Sequence, residues 1–275
     1  RIFRHTPEIY VKIENFNNYI LEVIKMKRSI MITAVLFGVF IMAAQVTEAS
    51  GGKAHWGYSG HEGPNNWGNL APQYSLCKEG KNQSPIDISK TVRSKLHSIK
   101  TQYNSTPVKV LNNGHAIQVN YNPGSYMTVG SHKYKLLQFH FHSPSENTVD
   151  GRAFDMEMHL VHKADNGQIA VLAVFLKKGK KNAALQKIWD SMPASSGQTK
   201  SSGASINVTE LLPSTKSYWH FTGSFTTPPC TEHVVWIILQ NTITVSEDQI
   251  NKFLSTIGED ARPVQPVNWR TIYAN

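Results

Sequence analysis

The run Leu136-Leu137-Gln138-Phe139-His140-Phe141-His142 constrains the fold more than any other stretch of this 275-residue chain. Successive side chains on a β-strand point to opposite faces. Phe139 and Phe141 then share one face and pack into a core, and Gln138, His140 and His142 share the other. The chain therefore needs a sheet that is buried on one side of this strand and carries a polar site on the opposite side.

Other runs agree with a sheet. Val108 to Leu111, Ala116 to Tyr121, Met156 to His162, Ile169 to Leu176 and His233 to Gln240 are short, β-branched or aromatic, and bounded by Gly, Asn or Pro. Helical signal is confined to Ala183 to Ser191 and to Ser246 to Ile257, where Ser246 suits a cap and Glu247 and Asp248 suit a first turn. Ser195 to Ser205, rich in Ser and Gly, reads as a surface loop. The expected fold class is mainly β (α+β): a single domain around a large, mostly antiparallel, twisted central sheet with a few peripheral helices.

Hydrophobic residues make up 40% and charged residues 17%, so the composition supports a buried core rather than a disordered chain. The net charge of +9 invites a nucleic-acid or membrane-surface reading. The basic residues form only short clusters such as Lys177-Lys178-Gly179-Lys180-Lys181, so no nucleic-acid partner is expected.

Part of that charge lies in a segment expected to be removed. Met26-Lys27-Arg28 is basic, Ile30 to Ala44 is apolar and uncharged, and Thr47-Glu48-Ala49 ends on a small residue. Basic, apolar, small is the order of a secretory signal. The apolar run is shorter than the roughly 20 residues of a membrane-spanning helix; an uncleaved anchor is the alternative reading. The expectation is that residues 1–25 lie upstream of a start at Met26, that 26–49 is a signal peptide cut near Ala49, and that 50–275 is the working domain. It would be periplasmic or secreted, with no membrane span after cleavage. Export leads to an oxidising compartment, where the only two cysteines, Cys77 and Cys230, read as a disulfide. Two free buried thiols are the alternative.

A second strand, Asp155 to Val161, puts Asp155, Glu157, His159 and Val161 on one face. If it neighbours the first, His159 joins His140 and His142 around one cation. Three neutral imidazoles with one open position form the ligand set of a catalytic zinc site. Copper or cobalt would accept the same ligands, and zinc is favoured by ligand type. Gln138 and Glu157 each stand two residues before a histidine, where a polar group can orient an imidazole from behind. Spacing alone reaches a metal site and no reaction.

At this point the sequence resembles the alpha-class carbonic anhydrases, especially their exported bacterial members, over about residues 55 to 273. The resemblance rests on His55-Trp56-Gly57-Tyr58, Gln83-Ser84-Pro85-Ile86, Asn112-Asn113-Gly114-His115, Gln138 to His142, Glu157 to His162, and Gly223-Ser224-Phe225-Thr226-Thr227-Pro228-Pro229, all in the family's order. It implies one zinc ion per chain on His140, His142 and His159, and reversible hydration of carbon dioxide to bicarbonate and a proton through zinc-bound hydroxide. Gln138 and Glu157 match the groups behind His140 and His159, and His142 is implied to lean on a backbone carbonyl near Asp260. Thr226 matches the threonine that accepts a hydrogen bond from the nucleophile and donates to an acid, here Glu146. His115 matches the proton shuttle, and Tyr58, Asn113 and Gln118 the polar wall that holds connecting waters. Val161, Val171, Phe225, Thr227 and Trp236 match the substrate side. Cys77 and Cys230 match the family's disulfide.

Two positions depart from the common pattern: Phe225 stands where leucine is frequent, and Gln118 where asparagine is. The larger ring at 225 should narrow the cavity mouth. The remaining histidines, His55 among them, read as structural or surface residues. Inhibitory anions and sulfonamides are implied ligands, and a homodimer is carried over by analogy. A zinc-dependent esterase and a non-catalytic binding module are the competing readings. No serine-nucleophile elbow appears for the former, and the retained ligands, Thr226 and Glu146 argue against the latter.

Overall fold

A computed structural model describes residues 54–275. The expected upstream segment, the signal peptide and its cleavage point near Ala49 lie outside the described residues. The strands are β1 (Asp87–Ile88), β2 (Thr91–Arg93), β3 (Ile99–Gln102), β4 (Thr106–Asn112), β5 (Ile117–Asn120), β6 (Tyr126–Val129) and β7 (His132–His142). They continue as β8 (Thr148–Val149), β9 (Met156–Lys163), β10 (Ile169–Lys178), β11 (Thr199–Ile206), β12 (Tyr218–Ser224), β13 (Glu232–Val245) and β14 (Ile272–Ala274). Twelve of them make one sheet in the order β11-β4-β5-β7-β9-β10-β13-β12-β14-β2, with β6 on β7 and β3 on β6. Antiparallel pairs predominate, as the sequence implied. The pairing of β10 with β13 is parallel and lies inside the sheet. Parallel pairs are buried on both faces, and Ala170 to Leu176 of β10 accordingly run apolar without alternation and are buried throughout.

The sheet's two faces carry different contents. On one, Phe139, Phe141, Met158, Leu160, Leu172 and Ile237 join the larger core. The helices Ala183–Trp189 and Glu247–Ile257 supply Leu185, Ile188, Ile250 and Phe253 to it. Asn182 caps the first helix by accepting from Leu185 N at 3.0 Å. Ser246 and Gln249 cap the second reciprocally, and Trp189 Nε1 donates to Gln249 O at 2.8 Å to tie the two together. The opposite face holds a smaller cluster including Ile86, Val161, Val171, Phe175 and Trp236. His140 and His142 of β7 belong to this second face, as the alternation required.

One expectation is corrected. Ser195 to Ser205 is not simply a surface loop: Thr199–Ile206 forms the edge strand β11 on β4. An edge strand pairs on one side only, so small exposed residues suffice, and a register shift between Ser201 and Ser205 with Gly203 at φ +74° gives it a bulge. Such a strand lacks the hydrophobic alternation that sequence reading depends on.

His162, on the larger-core side of β9, is fully buried. Its Nδ1–H donates to Leu160 O at 2.9 Å, which leaves Nε2 to accept from Tyr103 OH at 2.8 Å. Burial lowers its pKa to about 4. The folded value lies below the unfolded 6.5, so the unfolded chain takes up a proton first as pH falls. Stability from this group is present above pH 6.5 and is lost between 6.5 and 4, by about 3 kcal/mol. A His162→Asn variant lacks that slope. Urea unfolding of both proteins should show the wild type's advantage shrinking by about that amount from pH 7 to 4; a gap constant with pH would remove the assignment.

Candidate metal centre

β7 and β9 pair antiparallel, with His140 opposite His159 and His142 opposite Glu157. The register brings three imidazoles together. Ring centroids are 5.1 Å apart for His140 and His142, 5.3 Å for His140 and His159, and 4.8 Å for His142 and His159. One nitrogen from each lies within 4.8 Å of the others.

His140 and His142 are each held from behind by a hydrogen bond from the other ring nitrogen, and the other nitrogen of His159 faces a carboxylate. His140 Nδ1–H donates to Gln138 Oε1 at 2.9 Å. His142 Nδ1–H donates to the backbone oxygen of Asp260 at 2.9 Å. His159 sets Nε2 at 3.1 Å from Glu157 Oε1, and Glu157 is itself fixed by Asn147, whose N and Nδ2 both donate to it at 2.8 Å. The nitrogens left facing inward are Nε2 of His140 and His142 and Nδ1 of His159. Fixing one nitrogen as the donor makes the other a lone pair, the form that ligates a metal.

The surroundings fit a cation. Burial pushes His140 and His159 well below 6.5, so both are neutral. Burial works the same way on His142, but Glu146 and Asp260 outweigh it and raise the ring to about 10. A proton on Nε2 and a metal ion compete for one lone pair and answer the same negative field. Among the described residues His142 Nε2 has no hydrogen-bond partner although buried; Glu146 Oε2 is 3.5 Å away. Burial raises Glu146 to about 7 against the pull of His142, the Arg262 N–H and the Thr226 hydroxyl, and raises Glu157 to about 7 against its bonds from Asn147. Buried carboxylates this close together need positive charge, and a divalent ion among the three imidazoles would meet that need.

The triad lies in a cavity of about 220 Å³ with two unlike walls. Val161, Val171 and Trp236 sit side by side across β9, β10 and β13, and Phe225 completes this apolar side. Tyr58, Asn113, His115 and Gln118 line the polar side. Gln118 stands opposite His140 in the pairing of β5 with β7. Asn113 shapes the turn: its Oδ1 accepts from the N–H groups of His115 and Ala116 at 2.9 and 2.8 Å. That oxygen is therefore committed to the backbone, and Gly114 takes the φ of +88° that the turn requires. The Tyr58 hydroxyl is buried, and its pKa is raised by burial and by the charges of Glu146 and Asp260.

Thr226 and Thr227 line the cavity from the loop after β12. The Cys77–Cys230 disulfide expected from the sequence is present. It anchors that loop, whose Cys230 N donates to Thr227 O at 2.9 Å. Trp236 Nε1 donates to Ser224 O at 3.0 Å and fixes the loop's start.

A model of the eukaryotic-type carbonic anhydrases matches residues 62–275. The chain belongs to the carbonic anhydrase family. It is 46% identical over 243 residues to a carbonic anhydrase of Neisseria gonorrhoeae, covering 88% of this chain and 95% of that one. An alpha-carbonic anhydrase of Thermovibrio ammonificans, solved in complex with the inhibitor sulfanilamide, has TM-score 0.79 and 45% identity, over 81% of this chain and 100% of that chain. A dioscorin complexed with ascorbate has TM-score 0.75 and 29% identity, over 80% of this chain and 97% of that chain.

Every expected cavity residue on the metal, polar and substrate sides lies at this one site, with Glu146 and Glu157 behind it. Sequence reasoning missed Trp56 and Asn147, and above all Arg262. That side chain is buried. Its guanidinium donates to Gln83 Oε1, Ser84 O and Cys77 O at 2.7 to 2.9 Å, and its backbone N–H to Glu146 Oε1 at 3.0 Å. Nothing in the local pattern around Arg262 signals a link to segments so far away in the chain.

Proposed function

We propose that this carbonic anhydrase is a zinc enzyme that hydrates carbon dioxide reversibly to bicarbonate and a proton. The observation that carries the reading is the convergence of three back-supported imidazoles in a cavity with one apolar and one polar wall. His140 Nε2, His142 Nε2 and His159 Nδ1 would hold one zinc ion per chain. When bound there, zinc supplies Lewis-acid chemistry, lowering the pKa of water to roughly 7.

The remaining roles fall to the chain's own groups. A carboxylate only accepts hydrogen bonds, so Thr226 Oγ1 must donate to Glu146 and keeps its oxygen as an acceptor. That acceptor fixes the proton of the attacking water and turns a lone pair toward the substrate carbon. Val161, Val171, Phe225 and Trp236 give carbon dioxide an apolar resting place, which suits a molecule with little to hydrogen-bond. Thr227 lines the same side. On the polar wall, His115 carries the released proton toward solution, since an imidazole with a pKa near neutrality both accepts and releases it. Tyr58, Gln118 and the Asn113 amide, whose Nδ2 donates to Gln118 Oε1 at 3.4 Å, support the waters that lead to it.

The inhibitor-bound Thermovibrio relative supports sulfonamide binding by this chain as well. Export to the periplasm or outside the cell is part of the proposal. The disulfide supports it, and among the described residues no helix is long and apolar enough to cross a membrane. Stopped-flow measurement on the zinc-containing protein tests the function. Fast carbon dioxide hydration suppressed by sulfanilamide is expected; no acceleration over buffer by protein carrying one zinc per chain would overturn it.

A further inference from the structure

We propose that a second cavity, on the opposite face of β13 from the metal centre, is a binding site for a neutral single-ring aromatic compound carrying a hydroxyl. The site goes beyond the hydratase reading and stands without it.

β13 has a cavity on each side. Its side chains alternate between the two faces, so Trp236 lines the metal cavity while Val235 and Ile237 line the second one. The second cavity measures about 260 Å³, against about 220 Å³ for the first. It lies at the small end of the range for ligand cavities, which begins at about 300 Å³. That size suits one ring and no more.

Three parts of the chain wall it. β12 and β13 supply Tyr218 and His220 beside Val235 and Ile237, the β6–β7 hairpin supplies Val129 and Tyr134, and the segment before β3 supplies Leu96 and His97. Tyr218 OH donates to His97 O at 2.7 Å and ties that segment to the sheet. His97 also packs on Gly130, where an added Cβ would lie 3.0 Å from the imidazole. The walls are thus held by the chain's own contacts. Leu96, Val129 and Val235 are each only partly buried, so a ring seated between them covers apolar surface.

Two features choose the ligand. No Asp, Glu, Lys or Arg lines the cavity. An ionised ligand would give up its hydration with no opposite charge to meet it, which favours a neutral one. His220 supplies the second feature. Its Nδ1–H donates to Trp236 O at 3.0 Å, which leaves Nε2 as a lone pair. Among the described residues none donates to that nitrogen. Tyr273 of the neighbouring β14 stacks on the ring, with centroids 6.4 Å apart and planes 22° from parallel, and steadies its plane. A hydroxyl on the ligand donates to Nε2. Gln168 serves the oxygen of the same hydroxyl: its Oε1 faces the Tyr134 hydroxyl at 3.5 Å, and among the described residues no group takes its amide hydrogens.

Fluorine NMR on the zinc-loaded protein tests this with 4-fluorobenzyl alcohol, 4-fluorotoluene and 4-fluorobenzoate, each with and without saturating sulfanilamide in the metal cavity. The alcohol should bind in both conditions, about tenfold more tightly than the other two. It should shift the ring signals of His97, His132 and His220. His220→Phe keeps a ring and removes the acceptor, so the alcohol's affinity should fall about tenfold, to that of 4-fluorotoluene. Val235→Trp fills the cavity and should abolish binding of both; if that variant does not fold, His220→Phe decides. An alcohol displaced completely by sulfanilamide binds at the metal centre only and overturns the second site. Equal affinity of the alcohol for wild type and His220→Phe also overturns it. A protein that fails to hydrate carbon dioxide but still gives the expected histidine shifts would lose the hydratase reading and keep this one.

Discussion

Replacing His142 with alanine should take the zinc content from one ion per chain to near none and lower carbon dioxide hydration by at least about a thousand-fold. His142 has the most to lose of the three histidines. It is 1% exposed, its Nδ1–H is spent on Asp260 O, and Glu146 and Asp260 both direct negative charge at the ring. Alanine leaves two imidazoles, too few for a closed ligand set, and strands those carboxylates without the ring between them. Because that stranding can also weaken the fold, the part-exposed His140 provides the paired variant: His140→Ala should lose zinc and activity with a smaller fall in melting temperature. Metal analysis and stopped flow on both variants, beside wild type treated with a chelator and then reloaded with zinc, give the result. Near-wild-type hydration by a zinc-free variant would remove the metal from the mechanism.

Removing the disulfide should have the largest effect on stability. Cys77 and Cys230 are 153 residues apart in the chain. Closing so long a loop restricts the unfolded chain strongly, and the loss on opening it should be about 4 kcal/mol. For a domain of this size that corresponds to a melting temperature lower by about 8–16 °C. Activity at low temperature should fall much less. Gln83 Nε2 still donates to Cys230 O at 3.0 Å, which ties the Thr226 loop, and Arg262 still reaches Cys77 O at 2.8 Å, which ties the segment on the other side of the bridge. Calorimetry and stopped flow on the Cys77→Ser/Cys230→Ser protein check both halves. A variant that melts with wild type while losing its activity would reverse the assignment.

The metal centre was legible where strand periodicity reports directly on side-chain direction. Gln138, His140 and His142 on one strand and Glu157 and His159 on another need only the period of two, plus the guess that the strands are neighbours. The capped helix at Glu247–Ile257 was equally visible, since Ser246, Glu247 and Asp248 are local. Roles that depend on distant contacts were reached only through the family resemblance, as with Asp260 behind His142. Arg262 and the cavity beside His220 were not reached at all, because ordinary surface-type residues gain their meaning there from tertiary placement. Edge and two-residue strands such as β11 and β1 escaped for another reason: β11 has one neighbour and little burial, and β1 is too short to carry a hydrophobic pattern.

The parallel pairing of β10 with β13 has a consequence for the order in which the molecule assembles as it is made. The three imidazoles come from the antiparallel pair β7 and β9, which is complete in the chain at residue 163. Trp236, the Thr226 loop, the Asp260 oxygen that steadies His142 and the Arg262 N–H on Glu146 all arrive later, the last two 118 and 116 residues after their partners. Long-range closures of this kind are slow. A growing chain therefore carries all three imidazoles before their outer supports exist. Ion capture at that stage would be loose and open to exchange, and tight retention would begin only when the C-terminal residues dock.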